Sequence, residues 1–300
     1  MGKAVRIAIG AALPLMKDPA MGIIIGTANG GMEDCIKFLD QIIEYQEGML
    51  TPGNFVQSTT NAIAAQLGLI SKNKGYNITH VHRGLSFENA LLDAIMITRE
   101  NPAGHYLVGG VDEISSYDYN IECLAGWYRS HGIGNEHLYQ WEGTGSLAGE
   151  GASMFRVSAS PAGARAQLTG IRIFQGEDLT RVEDELSGLL AEPGMNGQHI
   201  DLLLSGENGD ARMLPFYNTV EKFMQRDTAI ARFKHMTGEF ATASAVAAWL
   251  ACHLLEKQEL PDHMLKKGLV GKEIENILVY NTFKGRQHSF MQFSKPLPAI

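Results

Sequence analysis

Three landmarks occur twice along this chain, in the same order. Ile24-Ile25-Gly26-Thr27-Ala28-Asn29-Gly30 resembles Leu203-Leu204-Ser205-Gly206-Glu207-Asn208-Gly209. Gly84-Leu85-Ser86-Phe87, leading into a helix, resembles Gly238-Glu239-Phe240-Ala241. Leu107-Val108-Gly109-Gly110 resembles Leu278-Val279-Tyr280-Asn281. The offsets, about 179, 154 and 171 residues, are loosely constant. A chain that repeats its landmarks in order is expected to consist of two similar halves. The join is placed near Ser158 to Arg165, dividing the chain into residues 1–160 and 161–300.

Within the halves, short apolar runs alternate with Ala-rich helical stretches, the pattern of an α/β protein with buried strands. Gly22 to Gly26 reads as a buried strand that opens into a glycine turn at Thr27–Gly31. A helix is predicted from Glu33 to Tyr45 and another from Phe55 to Ile70. Strand 77–82, helix 85–99 and strand 106–111 follow. Residues 115–145 look irregular and aromatic, 148–157 reads as a strand, and 162–174 continues the sheet. Helices 85–99 and 241–254 carry few charges and many small residues. Helices apolar nearly all round belong in an interior, so two buried helices between two sheets give five alternating layers, αβαβα.

Composition narrows the functional classes. The 300 residues are 45% hydrophobic and 19% charged, which describes a globular chain with a sizeable core. A net charge of -8 argues against general nucleic-acid binding, which needs a basic footprint. Three widely spaced cysteines, Cys35, Cys123 and Cys252, fit buried thiols in a reducing cytoplasm better than a disulfide framework. Lys3 and Arg6 before Ile7–Leu13 imitate a short signal peptide, but Pro14 interrupts the run, and a core helix is the preferred reading. No apolar run is long enough to span a bilayer. His80 and His82 would share one strand face, either as a metal pair or, preferably, facing a polar pocket.

The segment Thr79-His80-Val81-His82-Arg83-Gly84-Leu85-Ser86 reads as a strand, a sharp turn and a buried helix. A thiol on such a turn would sit against the positive end of the helix dipole, which favours the thiolate. Here the turn offers Arg83 and Gly84 instead. With this segment the chain resembles the β-ketoacyl synthases of the thiolase superfamily over nearly its whole length. Thr51-Pro52-Gly53-Asn54-Phe55 is similar to the family's Pro-x-x-Phe helix. Gly109-Gly110-Val111-Asp112-Glu113 is similar to its Gly-Gly-x-Glu strand, and Gly149-Glu150-Gly151-Ala152 to its Gly-Glu-Gly-Ala strand. Lys234-His235-Met236-Thr237-Gly238 is similar to its Lys-Ser-x-Thr-Gly-His segment. The resemblance implies a thiolase-like five-layer αβαβα fold built from two similar halves. The family also begins about fifty residues earlier, with a strand usually central in the first sheet. The resemblance therefore implies either a fragment or a rebuilt first sheet with exposed edges.

The family's chemistry uses a cysteine that takes the acyl chain, two histidines and a lysine. Carried over one by one, the cysteine falls on Arg83, or on Gly84 if the alignment slips by one. The first histidine falls on Ser205, the lysine is retained as Lys234, and the second histidine falls on Glu239. Phe283 and Gly285 loosely fit the family's gating loop. No cofactor and no metal are expected. Arginine forms no acyl-enzyme, and an ionised glutamate donates no hydrogen bond and repels a malonyl carboxylate. Losing one oxyanion donor alone costs roughly a hundredfold to a thousandfold in rate. A buried Arg83 needs a counter-ion, so the two changed positions are expected to pair as Arg83–Glu239.

The leading reading is a non-catalytic subunit similar to chain length factors. It would serve type II fatty acid or polyketide synthesis of the aryl polyene or flexirubin-like pigment kind. The implied partners are a catalytic ketoacyl synthase subunit in a heterodimer, or a second copy in a homodimer, together with acyl carrier protein. An apolar dimer face is expected near strand 77–82. One alternative is an active acyltransferase with a rearranged site, Ser86 being the nearest hydroxyl. Another is a scaffold that binds carrier protein or lipid.

Overall fold

The computed structural model describes residues 1–129, 134–192, 198–268 and 273–296. These form two compact units. The first comprises Met1–Ala125, Ala148–Ala159 and Phe240–Ala245, and the second Gly126–Leu147, Ser160–Glu239 and Val246–Ile300.

In chain order, the first unit carries α1 (Lys3–Ala12), β1 (Gly22–Gly26), α2 (Met32–Glu44), α3 (Pro52–Gln57) and α4 (Ala62–Ser71). Next come β2 (Tyr76–His80), α5 (Ser86–Glu100), β3 (His105–Asp112), α6 (Ser116–Leu124) and β4 (Gly151–Ser158). Its sheet runs β2-β1-β3-β4, parallel except for β4. All five residues of β1 are buried, as expected of a strand covered on both faces. Ile23 and Ile25 join Leu107 and Val111 under α1 and α4, which contribute Ala4, Val5, Ala8, Ile63 and Leu67. The intervening Ile24 and Gly26 point to the opposite face, where α5 packs. A Cβ on Gly26 would stand 2.4 Å from the Ser86 carbonyl oxygen, so glycine is what lets α5 approach. The sheet is unbroken: β1 pairs with both β2 and β3, and the edges are β2 and β4.

The second unit carries β5 (Gln167–Gln175), α7 (Leu179–Leu190), β6 (Leu202–Ser205), α8 (Leu214–Lys222), β7 (Ala229–Arg232) and α9 (Lys234–Thr237). It continues with α10 (Ala243–Lys257), whose first three residues count to the first unit, then β8 (Leu265–Lys267), β9 (Asn276–Phe283) and β10 (Gln287–Ser294). Its sheet order is β5-β10-β9-β6-β7-β8. Strand β6 is parallel to β7 and β9, and β9 is antiparallel to β10. The order β7-β6-β9-β10 thus repeats β2-β1-β3-β4, with the same parallel and antiparallel pairings. Helices α7 and α8 bury Val182, Leu186, Phe216 and Val220 against Leu203, Leu278 and Phe290 of the sheet.

Several local expectations need correction. The helix predicted over 55–70 is two helices, α3 and α4. At the break, the Ser58 and Thr59 hydroxyls donate back to the Phe55 and Val56 carbonyls at 2.7 and 3.2 Å, offering the backbone an alternative to helix. The stretch 115–145 is not irregular throughout. Ser115 and Asp118 form a reciprocal capping box that starts α6. Strand β2 ends at His80, so His82 is outside it and the two histidines do not share a strand face.

Candidate functional site

Lys234 and Glu239, the positions at which the retained lysine and the second histidine were expected, meet in the second unit. Strand β7 leads into α9, which places Lys234 at its start, and Gly238, with φ +70°, turns the chain so that Glu239 faces back. Lys234 Nζ lies 2.7 Å from Glu239 Oε2, and the two side chains are 0% and 8% exposed. The Asn208 amide donates to the same oxygen at 2.7 Å. Glu239 therefore takes its partners from its own unit, Lys234 and Asn208, and the expected Arg83–Glu239 pair is replaced by Lys234–Glu239. Arg83 needs no buried counter-ion, because it is exposed. Ser205, at the first-histidine position, ends β6, is buried, and accepts the Glu207 N–H at 3.3 Å. It has no imidazole to offer an oxyanion.

Glu239 Oε1 has no hydrogen-bond partner among the described residues. Glu239 lines a recess with Trp127, Tyr128, Asn208, Phe283 and Lys284. The recess admits the centre of a water molecule over only about 10 Å³, room for about one water. Phe283 and Gly285, the expected gating-loop positions, belong to the tight hairpin joining β9 to β10. Lys284 and Gly285 both have positive φ, +57° and +66°, as a type I′ turn requires. Phe283 therefore reaches the recess from a fixed turn.

At the elbow in the first unit, Arg83 adopts a left-handed backbone, φ +49°. Its side chain is exposed, while Gly84 and Ser86 are buried. Ser86 Oγ accepts the His82 N–H at 2.7 Å and donates to the Arg83 carbonyl at 2.8 Å. Its proton and a lone pair are spent on holding the turn, and no base is among its hydrogen-bond partners. His80 Nε2 lies 2.9 Å from Asp93 Oδ2, and the Tyr76 hydroxyl donates to the same carboxylate at 3.1 Å. Burial and that carboxylate push the Tyr76 phenol up. His82 Nδ1 instead accepts from the Asn89 amide at 3.0 Å. Burial pushes the Cys252 thiol up to about 11, which keeps it from being a ready thiolate.

The Gly-Gly-x-Glu and Gly-Glu-Gly-Ala segments fasten the first unit. Asp112 is fully buried and accepts four hydrogen bonds of 2.8–3.0 Å: Thr27 hydroxyl and Ala28 N–H on Oδ1, Thr242 N–H and hydroxyl on Oδ2. Burial nevertheless raises its pKa to about 6. Glu113 accepts the Ala4 N–H at 2.7 Å and the Glu33 N–H at 3.2 Å, capping the N-terminal ends of α1 and α2 with one carboxylate. Glu150 accepts the Ile114 N–H at 2.9 Å and pairs with Lys3 at 2.5 Å.

The sequence reading missed Asn208 and Asp112. Asn208 sits in the second copy of the glycine turn, where its polar side chain was the available signal. It also missed a surface. Helices α2, α3 and α6 have no buried residue at all, and α2 touches both α3 and α6. On these helices and the connection between α2 and α3, Leu39, Ile43, Met49, Phe55, Ile121 and Leu124 are 51–90% exposed. Near β2, Tyr76 and Val81 are also exposed, 39% and 49%.

No family model matches the sequence, and no curated protein matches it. Solved structures do match. The ketosynthase–acyl-carrier protein assembly AntDE:AntF, a type II PKS complex bound to the hexaketide, aligns with a TM-score of 0.80 at 16% identity. The alignment covers 98% of this chain and 85% of the other. The ishigamide ketosynthase/chain length factor aligns at 0.78 and 14% identity, over 98% and 82% of the two chains. The complex of the ketosynthase ApeO with its chain length factor ApeC, from Xenorhabdus doucetiae, aligns at 0.74 and 14%, also over 98% and 82%. The fold is therefore the thiolase-like α/β fold of ketosynthases and chain length factors.

Proposed function

We propose that this chain, with its ketosynthase fold, is the non-catalytic, chain-length-factor-type subunit of a type II synthase. It works beside a catalytic ketosynthase and its acyl carrier protein. The observation that carries this reading is the buried Lys234–Glu239–Asn208 cluster. A condensing site needs a thiol nucleophile and neutral hydrogen-bond donors for the developing negative charge. Here the second-histidine position holds an acceptor already neutralised by the retained lysine, and the elbow presents an exposed arginine. The adjoining recess has no room for an acyl chain.

The exposed apolar side chains of α2, α3 and α6 support a subunit partner. At on the order of 100 Å² each, six of them supply most of the ~800 Å² that one partner gives to a standard interface. The unpaired edge of β2 offers backbone groups to the same kind of neighbour. The structural neighbours that are themselves ketosynthase–chain length factor complexes favour a heterodimer over a homodimer. We assign the pathway class as aryl polyene or flexirubin-like pigment synthesis.

Co-expression with a ketosynthase that has an intact Cys-His-His site, encoded in the same genome, tests the reading. A one-to-one complex whose products differ in length from those of the ketosynthase alone is expected. A chain that remains apart from every such ketosynthase, or that condenses acyl groups unaided, overturns it.

A further inference from the structure

On the surface of the second unit, His235 of α9 meets His263 of the short turn Asp262–Met264. His235 Nε2 lies 2.8 Å from His263 Nδ1. The rings meet edge to face, their centroids 5.1 Å apart. On its other side, His235 Nδ1 lies 3.2 Å from the Tyr139 hydroxyl, which also accepts the His235 backbone N–H at 3.2 Å. Neither histidine contributes to the Lys234–Glu239 cluster or to the proposed partner surface.

Two neutral imidazoles at this spacing share one hydrogen bond, with one nitrogen protonated and the other accepting. With the rings turned so that both lone pairs point to one centre beside the N–N line, the same spacing is the bite of a chelate. With metal–nitrogen bonds of roughly 2.0–2.1 Å, nitrogens 2.8 Å apart subtend roughly 84–89° at a metal. That is the angle between neighbouring ligands in a square-planar or octahedral centre. A tetrahedral centre would need the nitrogens roughly 3.3 Å apart. We propose that His235 and His263 form a two-histidine chelate for a divalent transition metal of the Cu²⁺ or Ni²⁺ type, with water in the remaining positions.

The surroundings suit such a site. Burial, and then the neighbouring His263 and Arg232, hold the His235 pKa below the usual histidine range. Burial also pushes the Tyr139 phenol up, so it stays an O–H and can act as donor or acceptor. With the His235 proton on Nδ1 and Nε2 left to ligate, the Tyr139 oxygen accepts from Nδ1, and in the other tautomer its hydroxyl donates, so the hydrogen bond is kept in either. That outer bond fixes the tautomer and orientation of a ligating histidine.

His263 is exposed, which supplies access and water ligands. Arg232, stacked 3.7 Å over the Tyr139 ring, is neutralised by Glu207 at 2.9 Å. No group of three His, Cys, Asp or Glu side chains completes a metal cluster among the described residues, which fits a two-ligand site and not a closed zinc site. A metal here would tie the segment that carries Lys234 to the turn before β8.

Titration of the whole protein with CuCl2, followed by calorimetry and electron paramagnetic resonance, tests the proposal. One equivalent with two-nitrogen coordination is expected, and His263→Ala should lose it. Tyr139→Phe should weaken binding by roughly tenfold or more. His263→Asn retains hydrogen-bonding capacity, and its metal-free melting curve controls for folding. The proposal is overturned if the unaltered protein binds no more Cu²⁺ than His263→Ala. A resonance signal unchanged in His263→Asn overturns it equally.

Discussion

Replacing Glu239 with alanine would remove the carboxylate that lies 2.7 Å from the Lys234 ammonium, which is 0% exposed. The Asn208 amide would lose its 2.7 Å acceptor at the same time. Breaking a buried pair from one side costs about 3–5 kcal/mol, because the surviving charge stays desolvated. Removing both charges is a different perturbation. Lys234→Met with Glu239→Leu restores apolar volume and leaves no buried charge, so its cost should stay within about 1–2 kcal/mol. For a chain of this size about 2 °C of melting temperature corresponds to each kcal/mol. Glu239→Ala should therefore melt about 6–10 °C lower, and the double variant only a few degrees lower. Thermal unfolding followed by near-ultraviolet circular dichroism reads both. A Glu239→Ala variant as stable as the unaltered protein would refute the reasoning, since the pair would then not be the buried charge pair on which the proposed function rests. A double variant as damaged as the single one would refute it too, by showing that packing and not charge sets the cost.

Other consequences are open to direct measurement. Asp112→Asn presents an amide to the Ala28 and Thr242 N–H groups, only one of which it can accept well, and should cost about 1–3 kcal/mol in denaturant titrations. The folded-state pKa of Asp112, about 6, lies above its ordinary 3.8. The native state therefore holds this proton more tightly. Its contribution is full below about pH 4 and is lost as pH rises through about 6, and Asp112→Asn should remove that part of the pH profile. Gly26→Ala drives a methyl to within 2.4 Å of the Ser86 backbone oxygen. It should destabilise the first unit by about 1–3 kcal/mol or more, visible as faster amide exchange in β1. Leu124→Asp, at a side chain 90% exposed, should change chain stability by less than about 0.5 kcal/mol. It should nevertheless weaken association with a ketosynthase by more than tenfold in a binding titration.

The buried strands were legible because they are written in local pattern. Ile23-Ile24-Ile25 between two glycines has few alternatives to a covered strand, and Leu203-Leu204 with Leu278-Val279 echoes it. The break between α3 and α4 was hidden because hydroxyls at Ser58 and Thr59 look like ordinary polar helix positions until their donors turn back to the chain. The site was half legible. Lys234 and Glu239 were identified by position, but their partnership was not. An i, i+5 spacing across a glycine turn gives no periodic signal, whereas the chemical need for a counter-ion pointed equally well to Arg83. What decided it was exposure: Arg83 reaches water, and Lys234 does not. The apolar surface of α2, α3 and α6 was unreadable for a similar reason. An amphipathic helix announces an apolar face, but not whether its own chain covers that face.

The claim that this subunit assists condensation without performing it is met most directly by native mass spectrometry. The chain, a catalytic ketosynthase and an acyl-loaded carrier protein are incubated together, and adducts are assigned to each subunit. The account predicts a one-to-one complex with the acyl mass on the ketosynthase alone, and none on Ser86 or any cysteine of this chain. An acyl adduct on this chain, formed while the ketosynthase cysteine is replaced by alanine, would contradict it.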